Sequence, residues 1–307
     1  MDNVCHTLVG AALAESGLKR QSRLATATLL VAANLPDIDV GVFLTSVPSV
    51  AFRRGWTHGV LAQALLPPLL VLVMMWLARR RTGPPEPVRP GWLLLLAYLG
   101  VFSHVGLDWL NNYGVRLLMP VSARWFYGDT LFIVDPWMWL MLGLGVWLSR
   151  RTGTTRAARR SLALATLYIA LMLMGTRGAR AAVTTAWIER HGAPPVALMV
   201  GPRAVTPLSR DIIVDAGDRY VTGTFAWWPT RVAFDADEVP KRDSDPAVAV
   251  ARTTPDVAPF LVWSRFPVWE VQHGQDGTQV TVSDLRFGAV RRVIGGARFE
   301  AGTTLPR

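Results

Sequence analysis

The chain of 307 residues is 51% hydrophobic and 18% charged, with a net charge of +10, thirteen Trp and one Cys. That balance excludes a disordered chain, and a lone Cys excludes an intramolecular disulfide or a CxxC zinc or redox motif. Nor does the positive charge point to nucleic acid: residues 1–181 hold 18 basic and 8 acidic residues, whereas 182–307 hold 14 of each. The excess therefore travels with the long apolar runs, as expected of a membrane protein with basic loops.

The chain opens MDNVCH, with an acid and no basic n-region, so a cleavable signal peptide is not expected. Apolar segments 6–18 and 24–35 flank the basic turn 19–23. Each reaches only roughly 18 Å as a helix, so a hairpin packed among other helices is expected. The motif LPDID comes next, in which Pro36 breaks the helix and Asp37 and Asp39 either cap the adjoining segment or bind a cation. Then comes RRGWTHG: Trp56 suits a membrane interface, where His58 is either incidental or a ligand. Arg53 and Arg54 lie against the charge bias, which fits binding of an anionic group such as phosphate.

Four apolar runs read as membrane spans: 59–78, where Pro67 and Pro68 predict a kink, then 91–107, 131–148 and 161–175. An 18-residue helix covers roughly 27 Å, close to the bilayer's hydrocarbon thickness. Buried helices of a soluble enzyme are the competing reading. The expected fold is an α-helical integral membrane domain, four spans plus an N-terminal helical hairpin, over 1–181, then a β-rich soluble domain over 182–307. The second part carries short aromatic or alternating runs at 212–214, 219–228, 259–271 and 279–287, separated by turn signals such as Asp276-Gly277. Placing Arg79–Arg81 with Arg89, the 150–160 arginines and the 19–23 turn in the cytoplasm sends His6, Asp37, His58, the His104–Asp108 end and the β-rich domain outside.

The scarce acids carry the chemistry. Five of the eight in the first part, Asp37, Asp39, Asp108, Asp129 and Asp135, fall in or beside apolar segments. Such a residue costs about 2.5–3.5 kcal/mol on insertion scales, which marks a functional site by default. His104 and Asp108 stand four apart, so a helix points both along one face as half of a divalent-metal site; a structural hydrogen bond fits the same spacing. His6 supplies a third imidazole unless it faces solvent. Asp135 before Pro136 reads as a helix cap that also serves a pocket, and Asp129 sits close by in sequence. Asn111 and Asn112 read as partners of a metal-bound carboxylate or as turn residues.

Taken in order, MDNVCHTLVGAAL, LPDID, RRGWTHG, HVGLDWLNNYGVRLLMP and RWFYGDTLFIVDPW resemble the YdjM-like membrane-bound metal-dependent hydrolases of bacterial inner membranes, over about residues 1–180. The ligand order is similar to that of zinc-dependent phospholipase C. The resemblance implies a divalent metal, most simply zinc, on His6, Asp37, His58, His104 and Asp108. No His or Glu occurs in 109–181, so a mono- or dinuclear site is expected, with Asp39, Asp129 or Asp135 contributing. It further implies hydrolysis of a phosphoester or lipid-linked substrate; the residues themselves suggest Asp37 or Asp39 as general base and Arg53 and Arg54 to stabilise negative charge, at the outer face that the charge bias gives. The expected partners are the membrane and a lipid or lipid-linked small molecule, without nucleic acid. A metal-stabilised scaffold or regulator, and an ion-coupled transporter, are the alternatives.

Overall fold

Asp2 starts the first helix, α1 (Asn3–Glu15), by accepting the backbone N–H groups of Val4 at 2.9 Å and Cys5 at 3.1 Å. Those are two of the four donors that a helix start leaves unpaired. The structure is a computed structural model that describes residues 1–47, 49–80, 87–275, 277–287 and 295–300. Arg81 of the second basic loop and Asp276 of the expected turn lie outside the described residues.

After α1 come α2 (Ala25–Ala32) and a 3₁₀ segment, Leu35–Leu44, bent by 50° from it. A single turn, α3 (Ser49–Phe52), precedes the longer helices α4 (Val60–Arg80), α5 (Pro90–Trp109), α6 (Pro136–Thr152) and α7 (Arg156–His191). Among the described residues, α4, α5 and α7 are each long and apolar enough to cross a membrane, and the bent pair adds a fourth candidate if it forms one broken span and not a re-entrant loop. The expected span at 131–148 is displaced along the chain, beginning five residues later and ending four residues later. Asp135 caps α6 through the N–H groups of Trp137 and Met138, so the helix starts at Pro136 and has 17 residues. The α4 helix runs unbroken through Pro67 and Pro68.

Exposed apolar side chains recur every three or four residues on these helices. On α4 they are Leu61, Leu65, Leu69 and Leu72. On α7 they are Leu164, Leu167, Leu171 and Met174. An apolar stripe turned outward is the pattern of a lipid-facing helix, opposite to that of a soluble one.

Two glycines set the packing. A Cβ on Gly100 of α5 would sit 2.5 Å from Ala32 Cβ, and one on Gly10 of α1 would sit 2.9 Å from the Leu29 carbonyl oxygen. The α2 backbone thus lies against both neighbours without intervening side chains. At the other end of α5 the basic segments gather. Arg150 pairs with Glu15 at 3.1 Å, Arg159 donates to the Ser16 carbonyl at 2.9 Å, and the Arg89 N–H donates to Ser22 at 2.9 Å. Asp108 and Arg89 stand at opposite ends of this helix, about 28 Å apart.

The contacts separate Met1–Leu44 with Arg53–Gly175 from Thr45–Phe52 with Thr176–Arg307. In the second unit, β1 (Ala197–Pro202), β2 (Ser209–Asp215), β3 (Arg219–Trp227) and β4 (Thr230–Pro240) form an antiparallel sheet in chain order. Helices α8 (Pro246–Ala251) and α9 (Ala258–Trp263) lead to β5 (Pro267–Gly274), β6 (Gly277–Asp284) and β7 (Gly295–Glu300), a second antiparallel sheet. The α7 helix outruns the apolar stretch ending at 175 because its last turns have another task. Ala179, Val183 and Trp187, four apart, bury against Val200, Ile212, Val214 and Phe225. Deeper in this unit Asp284 accepts from Ser264 at 2.6 Å and from two nitrogens of Arg286 at 2.8 and 3.0 Å. Burial pushes the Asp284 carboxyl up, but the Arg286 charge and these hydrogen bonds outweigh it and hold the value below 3.8.

Substitution separates a packed glycine from an open one. Gly100→Val should destabilise the helical unit by about 1–3 kcal/mol through overpacking. Gly91→Ala, with nothing within 4 Å, should leave the melting temperature in detergent unchanged. Because the Asp284 value is depressed, its contribution is complete above pH 3.8 and is lost as pH falls through the folded value. Asp284→Ala removes the counter-charge of a buried guanidinium and should cost about 3–5 kcal/mol. An acid titration followed by near-ultraviolet circular dichroism reads both Asp284 effects.

Candidate metal centre

The C-terminal end of α5 presents His104 and Asp108 on one face, both buried. The 3₁₀ segment adds Asp37 and the turn before α4 adds His58, also buried. His58 Nε2 lies 3.2 Å from His104 Nε2 and 3.2 Å from Asp108 Oδ2, and His104 Nε2 lies 3.5 Å from Asp108 Oδ2. Asp37 Oδ1 is 3.9 Å from His58 Nε2 and 3.8 Å from His104 Nε2. All four donor atoms fall within 4.8 Å of one another. Metal bonds of about 2.0–2.2 Å in tetrahedral geometry separate ligand atoms by about 3.3–3.6 Å. The spacing fits one divalent ion.

The surroundings fix which atoms face inward. His104 Nδ1 lies 2.8 Å from the Ala33 carbonyl oxygen, an acceptor only, so Nδ1 carries the proton and the Nε2 lone pair points into the cluster. Thr57 donates its hydroxyl to Asp39 Oδ2 at 3.2 Å and sits 3.0 Å from His58 Nδ1, leaving its oxygen to accept from that nitrogen. Asp39 Oδ2 is itself 3.5 Å from His58 Nδ1. Both imidazoles therefore carry the outer partners that metal-bound histidines use. Asp37 Oδ1 and Asp108 Oδ2 are buried with no hydrogen-bond donor. Two lone pairs and two carboxylate oxygens thus converge on one space. A proton on one Nε2 serves two of these atoms at most, whereas a divalent cation serves all four.

Asp108 Oδ1 faces the other way, toward Arg54 Nη2 at 3.0 Å and the Met1 amine. Arg54 also donates to Asn111 Oδ1 at 3.2 Å and to the Met1 carbonyl at 3.3 Å, while its guanidinium lies 4.7 Å from the centre of the Tyr113 ring. Its backbone takes φ of 51°, a region that costs a non-glycine residue about 1–2 kcal/mol. A hydrogen bond from the Arg54 N–H to Asp39 Oδ2, at 2.7 Å, offsets that cost. Asn111 Oδ1 further accepts the N–H groups of Tyr113 and Gly114, closing the turn after α5.

The structure thus brings Asp37, His58, His104 and Asp108 into one group and leaves His6 beside it. The His6 ring stacks on His104 at 3.7 Å and its Nε2 lies 3.4 Å from Asp108 Oδ1, the oxygen already neutralised by Arg54. Both His6 ring nitrogens are buried without a hydrogen-bond partner. The two arginines, expected to act together on an anion, divide. Arg54 is buried and committed to Asp108 and Asn111, whereas the Arg53 side chain is 25% exposed, 3.7 Å from Asp37 Oδ1 and 3.5 Å from Asp39 Oδ1. Asp39 orients His58. Asp135 caps α6 and accepts the Tyr168 hydroxyl at 3.0 Å, outside the four-atom group. Asp129 and Asn112 are buried and also stand outside that group.

Sequence reasoning passed over Asp2, Thr57, Arg116 and the Ala33 carbonyl. Thr57 adjoins His58, and Asp2 precedes an apolar helix as a cap does, so both left a local signal. Arg116 left none: its N–H reaches the Arg54 carbonyl at 2.8 Å across 62 positions of sequence.

The model of the family described as YdjM inner membrane protein matches residues 1–180, a stretch that contains all four converging donors. Among curated proteins, the uncharacterized protein YfhP of Bacillus subtilis (strain 168) is 23% identical over 265 residues, covering 84% of this chain and 76% of that relative. No solved structure matches significantly.

Protein purified in detergent should retain about one divalent ion per chain, read by elemental mass spectrometry, and lose it in Asp108→Ala or His104→Ala. Asp39→Asn removes a partner of a ligand and should weaken metal affinity by about 10–100-fold without abolishing it. Stoichiometric metal in the double variant His58→Ala/His104→Ala would dissociate the ion from this cluster.

Proposed function

Because the chain belongs to the YdjM inner membrane protein family, we propose that it is a membrane-bound metal-dependent hydrolase of phosphoester or lipid-linked substrates, working at the outer face of the inner membrane. The observation that carries the reading is the group of four buried acceptor atoms, at metal-ligand spacing and without a proton donor between them.

Asp37, His58, His104 and Asp108 would hold the ion. Bound there, a divalent ion supplies Lewis acidity, acidifying water toward neutral pH and drawing charge from an ester oxygen. The chain's own groups supply the rest. Ala33 and Asp39 fix the two imidazole rings, and Arg54 holds Asp108 in place while neutralising its second oxygen. Arg53 is the partly exposed cation at the rim; it pairs with the buried Asp37 and Asp39 and keeps part of its guanidinium open to a phosphoryl oxygen. Asp39 already accepts from Arg53, Arg54 and Thr57, so proton uptake is assigned to Asp37, which lies farther than Asp108 from the two imidazoles. The basic turns collected at the opposite end of α5 support a cytoplasmic assignment for that end and an outward-facing cluster. A β-rich domain outside the cytoplasm is part of the same proposal.

A specific observation favours a second reading. Four protein donors close a tetrahedral site, as structural zinc does, while catalysis needs an open position. In that case the ion ties the 3₁₀ segment to α4 and α5, and the protein is a scaffold or regulator. Turnover separates the two.

In nanodiscs, the hydrolase should release headgroup phosphoester from lipid substrates, lose turnover on chelation and regain it with zinc. Arg53→Ala should lower kcat/KM by about 10–100-fold with the metal retained, as loss of a charged hydrogen bond worth about 1.5–3 kcal/mol predicts. No turnover of phosphodiester or phosphomonoester lipids by the metal-loaded protein would sink the hydrolase reading and leave the scaffold.

A further inference from the structure

The segment Leu35–Leu44 presents different chemistry on its two sides. Asp37, Asp39 and Val42 are buried, whereas Ile38, Val40, Phe43 and Leu44 are at least half exposed. Consecutive residues therefore send carboxylates toward the metal cluster and hydrocarbon away from it. On the outer side lies a groove of about 370 Å³ lined by Thr7, Leu30, Val31, Asn34, Leu35 and Ile38. That is within the size range of small-molecule sites, about 300–1,000 Å³.

The donor groups in the wall are paired within the protein. Asn34 Nδ2 donates to Thr7 Oγ1 at 3.0 Å and to the Leu30 carbonyl at 2.9 Å, and the Thr7 hydroxyl donates to the Asn3 carbonyl at 2.7 Å. The surface left for an occupant is apolar. The α2 helix and the 3₁₀ segment together are long and apolar enough for one bent span, and, like α4 and α7, they carry exposed apolar side chains, here Val31 and Ile38.

We propose that this groove is a binding site for one hydrocarbon chain of a membrane lipid. Ile38 lines the groove and is flanked in sequence by Asp37 and Asp39, so a chain lying there brings its headgroup beside the carboxylate rim and Arg53. Substrate then enters the metal centre sideways from the leaflet. The headgroup's placement rests on the proposed hydrolase site; the chain site itself requires only the membrane.

The test uses the full chain in phospholipid nanodiscs. Cys5 is buried, so Val31→Cys and Ile38→Cys each give one accessible site for a bimane label, with Asp218→Cys, 77% exposed, as the aqueous control. Lipids brominated along the chain should quench Val31→Cys and Ile38→Cys at least fivefold more than Asp218→Cys, and iodide should do the reverse. Native mass spectrometry should find a retained lipid on the wild type and at least tenfold less on Val31→Trp, which fills the groove, with metal content equal in both. Iodide quenching equal to that of Asp218→Cys, disulfide dimers through Val31→Cys, or lipid retention unchanged in Val31→Trp would overturn the chain site. Loss of metal from the wild type would sink the hydrolase reading and leave these lipid readouts intact.

Discussion

Four acceptor atoms turned toward one buried point, with no proton donor among them, is the constraint around which the helical half is organised. Carboxylates and imidazole lone pairs repel one another in a medium of low dielectric, and other interactions of the chain keep them there. The Ala33 carbonyl holds one ring and Asp39 with Thr57 holds the other. Arg54, in an unfavourable backbone conformation, neutralises the far oxygen of Asp108. Each of these contacts makes sense as preparation for a cation and little sense without one.

The helix packing serves the same point. Gly10 and Gly100 let α1 and α5 close on the α2 backbone. This brings the Ala33 carbonyl, at the end of α2 where helical partners run out, within hydrogen-bonding distance of His104, one turn beyond Gly100. A larger residue at 100 would move the ring and its lone pair together. The link from sequence to chemistry therefore runs through a residue that has no chemistry of its own.

Much of this was legible in the sequence because acids and histidines are conspicuous in apolar surroundings. The HxxxD spacing declared a shared helix face, and the LPDID acids stood out at a helix break. The family and the division into a helical and a β-rich part were readable on the same grounds. The features that stayed hidden depended on three-dimensional approach. Nothing local distinguishes Arg53 from Arg54, yet one is left at the rim and the other is consumed inside. His6 looked equivalent to the other histidines, but its stacking on His104 turns it toward the oxygen that Arg54 already satisfies. The start of α6 lies later than its apolar run because hydropathy continues through 131–135 while Asp135 starts the helix only at Pro136. In α7 the reverse occurred: apolarity fades after 175, and only the four-residue spacing of Ala179, Val183 and Trp187 reveals that the helix continues.

The two-sided 3₁₀ segment has a consequence for how this stretch can vary. Ile38 and Val40 need only be apolar, so exchange among hydrocarbon side chains there should be nearly silent. Length is another matter. One residue inserted or removed between Pro36 and Asp39 rotates every later position of the segment by about a third of a 3₁₀ turn, bringing a carboxylate toward hydrocarbon and an apolar side chain toward the donors. Across relatives, the stretch should therefore accept substitutions freely and reject gaps.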